Sequence, residues 1–560
     1  MRYLNKKNML FPYIFIAIIS VALFTLFTGG RIVFVDDIDW LLADDSRYHY
    51  LNWLYFQNTP FFQFPIFNNP LYGMEFASTL VLNDAIPIMA LVFKVFKALL
   101  PFESQYFGLW ILVCFLLQTL ISFKLLKKFS SDNVLCLIFS IFFTIAPIFL
   151  WRLWGHYALM SQWIVLAAFL VYFSEGFSLI KWLLLILLSF LINPYIAGML
   201  YPIFLADIYY KRKAGFINKN ESWRHIGIVI LYSTTVLILL GYVGFGSSLG
   251  AGGYSNYRFN LNSFFDTDTL WSLTLPNLAS VANDYEGFGF LGLGVIILIF
   301  IAALDFFLAG NSISKELRSK LLIITIPCIM MLVFSLTNMV TLGDEVLWSY
   351  DVPIFLKPLT KIFRSAGRFS WPLYYFIYLL LFIIISRSGR IKVYLYLIPL
   401  LVSLQLYDTQ KASSLFRLKH SEVKNYWRTI GGGEKVYQVL LPNWESPLVS
   451  SEWDNIGKKY NNFIYVYPKK RTDRAFPIAL FAAKNSMAIN FGYFSRYNKK
   501  NLKGAISKID KELLDNKFNK ESVYLITEDS VWAQLLLQDK NLHLIKEIDG
   551  FRIFAPFYFN

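Results

Sequence analysis

The sequence predicts an α-helical polytopic membrane protein with a C-terminal soluble α/β domain. Of its 560 residues, 56% are hydrophobic and only 16% charged, more apolar surface than a soluble core can use. Apolar runs of about 15–20 residues recur along residues 9–406, a length suited to a bilayer core. Beyond 406 Lys, Asp, Glu and Asn become frequent and short alternating runs replace the long apolar ones. The formal charge of +15 does not point to nucleic acid, because Lys and Arg collect at the ends of apolar runs and no basic stripe with stacking aromatics lies elsewhere. Cys114, Cys136 and Cys328 sit inside apolar segments without metal-ligand or disulfide spacing, and read as small apolar fillers.

The first apolar run, 9–27, follows Arg2, Lys6 and Lys7 and lacks a small-residue cleavage site. It is expected to be a retained anchor with a cytoplasmic N-terminus. Further spans are predicted at 106–124, 133–150, 161–175, 179–192, 196–210, 226–245, 289–307, 321–337, 370–386 and 391–406, about 11 in all. Lys124, Lys127 and Lys128, Lys181, Lys211 to Lys213, Lys315 to Lys320 and Arg387 to Lys392 then fall on the inner side. The apolar segment 85–100 carries Lys94 and Lys97, and counting it as a span would put Lys124, Lys127 and Lys128 outside. It is expected to be an amphipathic helix lying at the outer interface.

An odd number of spans puts residues 407–560 outside, together with the loops 29–105, 246–288 and 338–369. The chain is thus expected to divide into a membrane module, 1–406, and an extracytoplasmic α/β domain, 407–560. In the latter, Lys435–Leu441, Asn462–Tyr467 and Ser522–Ile526 predict strands and Asn501–Leu514 a helix. It contains no nucleophile elbow, P-loop or metal-ligand spacing, so a positioning or acceptor-binding role is expected.

Polar outliers gather on the outer side. The first loop contains Val35-Asp-Asp-Ile-Asp-Trp40 and Ala43-Asp-Asp-Ser-Arg-Tyr-His-Tyr50. Asp36, Asp37 and Asp39 read equally well as solvated loop charges. Asp44 and Asp45 are surrounded by Trp40, Leu41, Leu42, Tyr48, Tyr50 and Trp53, and partial desolvation there would suit a general base. On a helix, Asp45 and His49 share a face, able to act on one substrate oxygen or to bind one metal ion. Asp84 follows Asn83, Arg152 and His156 occupy one turn, and Asn193-Pro-Tyr195 breaks an apolar hairpin. The loop from Gly246 to Gly289 holds Gly252-Gly-Tyr-Ser-Asn-Tyr257, Arg258, Asn262 and Asn283-Asp-Tyr-Glu-Gly-Phe288. Arg364 and Arg368, four apart at the start of the tenth span, are costly unless paired, and a headgroup-level phosphate would pair with both. Snorkelling onto lipid headgroups is the alternative.

Six motifs stand in order: Asp45/His49/Trp53, Asn69-Pro-Leu-Tyr-Gly73, Asp84-Ala-Ile-Pro87, Gly155-His156, Tyr285-Glu-Gly-Phe288 and Arg364-Ser-Ala-Gly-Arg-Phe369. Over residues 30–375 they resemble a bacterial polytopic membrane family known as a domain of unknown function, DUF6311, itself similar to the GT-C superfamily of integral membrane glycosyltransferases. That resemblance implies a GT-C-like fold in a bacterial inner membrane. It implies transfer of a sugar from a polyprenyl-phosphate-linked donor to a cell-surface glycan or lipid acceptor, with the site facing the periplasm. Asp45 matches the first-loop catalytic carboxylate best. The family pattern has glycine where this chain has Asp44, which leaves both carboxylates as candidate bases, with His49 beside them.

On the same grounds Arg364 and Arg368, with Arg152, would hold the donor phosphate, while His49, His156 and Glu286 would orient the acceptor. Asp84, Asn193 and Tyr285 complete the substrate-binding candidates. No cofactor is assigned, and a divalent ion on carboxylate oxygens is the open alternative. A transporter or flippase for a lipid-linked saccharide remains the second class, since Asn193-Pro194 and Gly241–Gly246 interrupt spans as in carriers. Against it stand the absence of an internal repeat and the collection of ionisable residues at one surface. A structural assembly factor is the third class, and it would not need Asp45.

Overall fold

The computed structural model describes residues 2–42, 44–76, 78–243, 253–281, 284–309, 313–421, 426–429, 436–439, 446–468, 472, 475–494, 496 and 498–559. Ala43, Gly246, Gly252, Asn283, Lys435 and Leu441, singled out in the sequence, lie outside them. The chain forms two compact units. One comprises 1–40, 106–234 and 252–441, the other 41–105, 235–251 and 442–560. The division expected at 407 is therefore drawn differently. The helix Gln410–Lys419 packs on Arg2–Thr28 in the first unit, and residues 41–105 fold with the C-terminal α/β residues.

The first unit is helical. Among the described residues six helices are long and apolar enough to cross a membrane: Leu10–Thr28, Phe107–Leu126, Lys219–Leu240, Lys315–Ser335, Ala366–Ile385 and Ile391–Asp408. Asn133–Thr144 and Pro147–Trp154, bent by 47°, make a seventh if counted as one span. Asp132 opens this pair by accepting from the Val134 and Leu135 amides at 2.8 and 3.0 Å. Pro147, unable to donate to the preceding turn, sits at the first position after the bend. The eleven spans expected from composition exceed this number. Tyr157–Tyr172, Leu179–Phe190 and Leu293–Leu308 are apolar but short, and the 12 residues of Leu179–Phe190 rise about 18 Å against a hydrocarbon core of about 30 Å. Pro194–Lys213 is 20 residues long but carries Asp207 and ends in Lys211, Arg212 and Lys213.

Several helix ends are tied to one another by hydrogen bonds and ion pairs. Tyr172 donates to the Lys320 carbonyl at 2.7 Å, and Lys320 pairs with Glu316 at 2.8 Å above the Tyr210 ring. Lys211 donates to the Ser174 carbonyl. At another such junction Asp305 accepts from Ser388 at 2.5 Å and from Tyr394 at 3.2 Å, and pairs with Arg390 at 3.3 Å. All of these residues belong to ends that the charge pattern puts on one side. Between the ends, buried polar groups satisfy one another, as apolar surroundings demand. Gln118 donates to the Tyr375 hydroxyl at 2.9 Å, which donates to Gln162 at 2.5 Å.

The second unit contains a five-stranded sheet in the order Ala488–Ile489, Asn462–Tyr465, Ser522–Ile526, Phe551–Ala555, Leu544–Ile548. The first three strands are parallel and the last two antiparallel additions. The expected strands at 462–467 and 522–526 and the expected helix, observed as Lys499–Leu514, are present. The motif Asn69-Pro-Leu-Tyr-Gly73 extends this sheet's edge, with the Gly73 amide donating to Ile489 O at 2.8 Å and Ile489 N to Leu71 O at 2.9 Å. Gly73 has φ 96°, and a Cβ there would stand 2.7 Å from the Phe494 ring, so glycine is required twice over.

Segment 85–100 forms the helix Pro87–Val95 and the single turn Lys97–Leu99. Val92, Val95, Phe96 and Leu99, at helical spacing, are exposed. Lys94 turns inward, donating to Thr59 at 2.7 Å and Pro60 O at 3.1 Å across the face of Phe56.

Candidate functional site

In the helical unit three sequence-distant motifs converge on one carboxylate. Glu286 lies in the 3-10 turn Asp284–Gly287, Arg368 in the turn Ala366–Ser370 that opens the helix Trp371–Ile385, and Arg152 in the turn Trp151–Trp154 that follows the Pro147 bend. Arg152 donates to Glu286 Oε2 at 2.8 Å. Arg368 donates through Nε to the same oxygen at 2.9 Å and through Nη2 to Oε1. All three side chains are buried. Burial alone would raise the Glu286 pKa, but Arg368, then Arg152, and more weakly His156 hold it well below the usual carboxylate range. One carboxylate thus binds two guanidiniums.

Glycines explain how the turns come so close. A Cβ on Gly367 would fall 2.6 Å from the Gly287 Cα, and one on Gly287 would fall 2.0 Å from Arg258 O. The Gly367 amide donates to Tyr257 O at 2.8 Å. The motifs Tyr-Glu-Gly-Phe and Arg-x-x-Gly-Arg-Phe thus each place a charged side chain beside the glycine that lets its backbone reach the other. Arg258 and Asp284 form a second buried pair at 2.9 Å, and Asn260 donates to the other Asp284 oxygen at 2.9 Å. Asp284 and Asn260 were not among the candidates; the signal available was the position of Asp284 two residues before Glu286.

Around this centre, Tyr195 carries the Arg368 guanidinium over its ring at 4.7 Å, and its hydroxyl accepts from Ser365 N at 3.1 Å. Asn193 is the N-cap of the helix Pro194–Lys213, accepting from Tyr195 N at 3.0 Å, so its side chain fixes the turn that presents Tyr195. Arg364 takes a different position from Arg368. It is half-buried, stacks over Tyr257 at 5.7 Å, and has no carboxylate partner among the described residues. Tyr285 is 43% exposed and meets Tyr257 edge to face; burial and the Glu286 charge push its phenol pKa up, keeping it a donor.

In the second unit Asp45 is the N-cap of the buried helix Ser46–Phe56, its carbonyl accepting from Tyr48 and His49 amides at 3.1 and 3.4 Å. His49 is buried one turn on, as the four-residue spacing predicts. The Asp45 carboxylate is half-buried, makes no capping bond, and has no hydrogen-bond or ion-pair partner among the described residues. Asp44 has φ 51°, the left-handed conformation that suits glycine and that aspartate tolerates. The helix is held by Tyr50 and Trp53, which donate to the Glu103 and Ser104 carbonyls at 2.6 and 2.8 Å, and by Asn69, which donates to Asn52 O at 3.0 Å and Asn52 Oδ1 at 2.6 Å. Trp53 is therefore an anchor of the loop. Asp84 is half-buried just before the left-handed Ile86 and Pro87 that start the next helix.

The sheet offers one further feature. Its chain leaves Asn462–Tyr465 toward Ala488–Ile489 on one side and returns through Lys499–Leu514 to Ser522–Ile526 on the other, making a topological switch point. A cavity of about 280 Å³ opens at those strand ends, lined by Tyr465, Thr527, Asp529, Glu547, Phe551 and Arg552.

Fold and site together define a polytopic helical membrane protein whose loops bring an arginine–glutamate–arginine centre to the helix ends and carry an α/β unit. The chain belongs to the DUF6311 family: the model for that domain of unknown function matches residues 17–410, and the DUF6311 C-terminal domain matches residues 452–556. No curated protein matches the chain.

Proposed function

We propose that the chain is a GT-C-type glycosyltransferase that moves a sugar from a polyprenyl-phosphate-linked donor to a glycan or lipid acceptor at the outer face of a bacterial inner membrane. The observation that carries the reading is Asp45: a half-buried carboxylate at a helix N-terminus, pinned by its backbone and left without a side-chain partner among the described residues. A group so placed serves the acceptor hydroxyl as general base. His49, one turn on, and His156 orient the acceptor.

Arg364, without a carboxylate partner among the described residues, is the cation that takes the donor phosphate. As the bond to the anomeric carbon breaks, negative charge grows on the departing phosphate and an oxocarbenium-like sugar is attacked by the acceptor oxygen, whose proton passes to Asp45. The switch-point cavity is the acceptor-holding element. The eleven-span topology, the cytoplasmic N-terminus and the periplasmic C-terminal domain belong to the same reading.

The test is transfer of radiolabelled sugar from the polyprenyl-phosphate pool of membranes to surface glycans, comparing the intact chain with Asp45→Asn at equal insertion. Loss in the variant supports the base. Equal transfer removes Asp45 from that role, and transfer by neither protein moves the reading to the flippase, for which the 47° helix break is the favouring observation. Repeating the assay with EDTA decides whether a divalent ion takes part.

A further inference from the structure

Four lysines stand over one cavity of the helical unit, away from the arginine–glutamate centre. Lys124, Lys127 and Lys128 come from the end of the helix Phe107–Leu126 and the turn after it, and Lys181 from the start of Leu179–Phe190. The cavity, about 640 Å³, has apolar walls that include Phe123 and Leu170. No carboxylate lines it, and none of the four lysines has an ion pair among the described residues. Lys127 donates to the Ser131 carbonyl at 2.6 Å, a contact that neutralises nothing. Ser174, whose carbonyl accepts from Lys211, also lines the cavity; Lys211 has its own carboxylate, Asp207, at 3.9 Å and adds no free charge.

Basic residues at helix ends follow from the preference of Lys and Arg for one side of a membrane, but that preference asks only for dispersed charges in water. Here uncompensated ammoniums share a concave space whose other walls are apolar, and its volume lies in the range of ligand sites, roughly 300–1,000 Å³. Mutual repulsion of the lysines is relieved by a multivalent anion, and the apolar wall favours an anion with hydrocarbon attached. Basic pockets between transmembrane helices take doubly phosphorylated lipid headgroups on these grounds.

We propose that this cavity holds the phosphate of an anionic lipid headgroup, with the acyl chains continuing along the wall formed by Phe123 and Leu170. The site stands apart from sugar transfer and does not depend on it.

The experiment uses the full chain in phosphatidylcholine nanodiscs doped with cardiolipin, with bound lipid counted by native mass spectrometry across a cardiolipin titration. The intact chain is expected to retain cardiolipin saturably, one molecule per chain. Lys124→Gln/Lys128→Gln/Lys181→Gln should bind it at least about tenfold more weakly, while the same three positions as Arg should keep it. Equal retention by the Gln variant at an unchanged melting temperature overturns the site, as does non-saturating retention by the intact chain. If the Gln variant fails to insert, Lys128→Gln alone carries the comparison. Inorganic pyrophosphate is the competing probe: failure to displace cardiolipin assigns the site to the bilayer, and pyrophosphate binding without retained lipid overturns the lipid assignment in favour of a soluble phosphate.

Discussion

Arg368 grips Glu286 with two donors, Nε to Oε2 at 2.9 Å and Nη2 to Oε1, and it can do so only because Gly287 and Gly367 lie in backbone contact. The pair and its glycines are one device. Glu286→Gln removes the carboxylate charge that two buried guanidiniums share and is expected to destabilise the helical unit by about 3–5 kcal/mol. Gly367→Ala, with its Cβ forced into Gly287, should cost about 1–3 kcal/mol and separate the turns. Thermal melts in detergent measure both; a Glu286→Gln variant as stable as the intact chain would sink this account.

Asp45 and Asp44 should separate by substitution. Asp45→Asn removes a charge that bonds to nothing among the described residues, so stability should stay within about 0.5 kcal/mol while transfer falls by roughly 10²–10⁴-fold. Asp44→Gly supplies the residue that φ 51° favours, and should keep transfer and leave the melting temperature equal or higher. The reverse outcome, transfer lost with Asp44→Gly and kept with Asp45→Asn, would make Asp44 the base.

These pairs show what the sequence made legible. The expense of two arginines near a bilayer pointed to a phosphate shared by Arg364 and Arg368; Arg368 instead holds Glu286, a pairing by tertiary contact that spacing does not carry, and Arg364 has no carboxylate among the described residues. Asp284 escaped because its partner Arg258 lies in a glycine-rich loop with no period to read. Composition located the apolar runs, and among the described residues helix length and breaks support six or seven of the eleven spans by themselves; a window registers neither the bend at Pro147 nor the shortness of Leu179–Phe190. The domain boundary moved for a similar reason: Leu71 and Gly73 add to the sheet edge at Ile489, a pairing across some four hundred residues.

Arg364 should behave unlike Arg368. It has no carboxylate to lose among the described residues, so Arg364→Gln is expected to fold normally and to raise the apparent KM for the lipid-linked donor about tenfold, the worth of one charge-assisted hydrogen bond. Arg368→Gln should instead lower the melting temperature along with the rate. Donor titration of the purified variants distinguishes them, and an unchanged KM in Arg364→Gln removes it from the phosphate.

His420 makes the last prediction, in pH. Its imidazole is buried against Trp40 and Tyr157, with Nδ1 2.7 Å from Phe416 O. Burial first, and then the Lys419 charge, push its pKa down from 6.5 to about 3. Above pH 6.5 the ring is neutral folded and unfolded, and contributes no pH dependence. Between 6.5 and about 3 the unfolded chain takes up a proton that the folded chain refuses, so stability falls with falling pH, by about 1.4 kcal/mol per unit once well below 6.5. Melting curves from pH 7.5 to 5 should therefore decline for the intact chain and flatten for His420→Gln, whose side chain does not titrate. A decline of the same slope in both would assign the acid sensitivity to other groups.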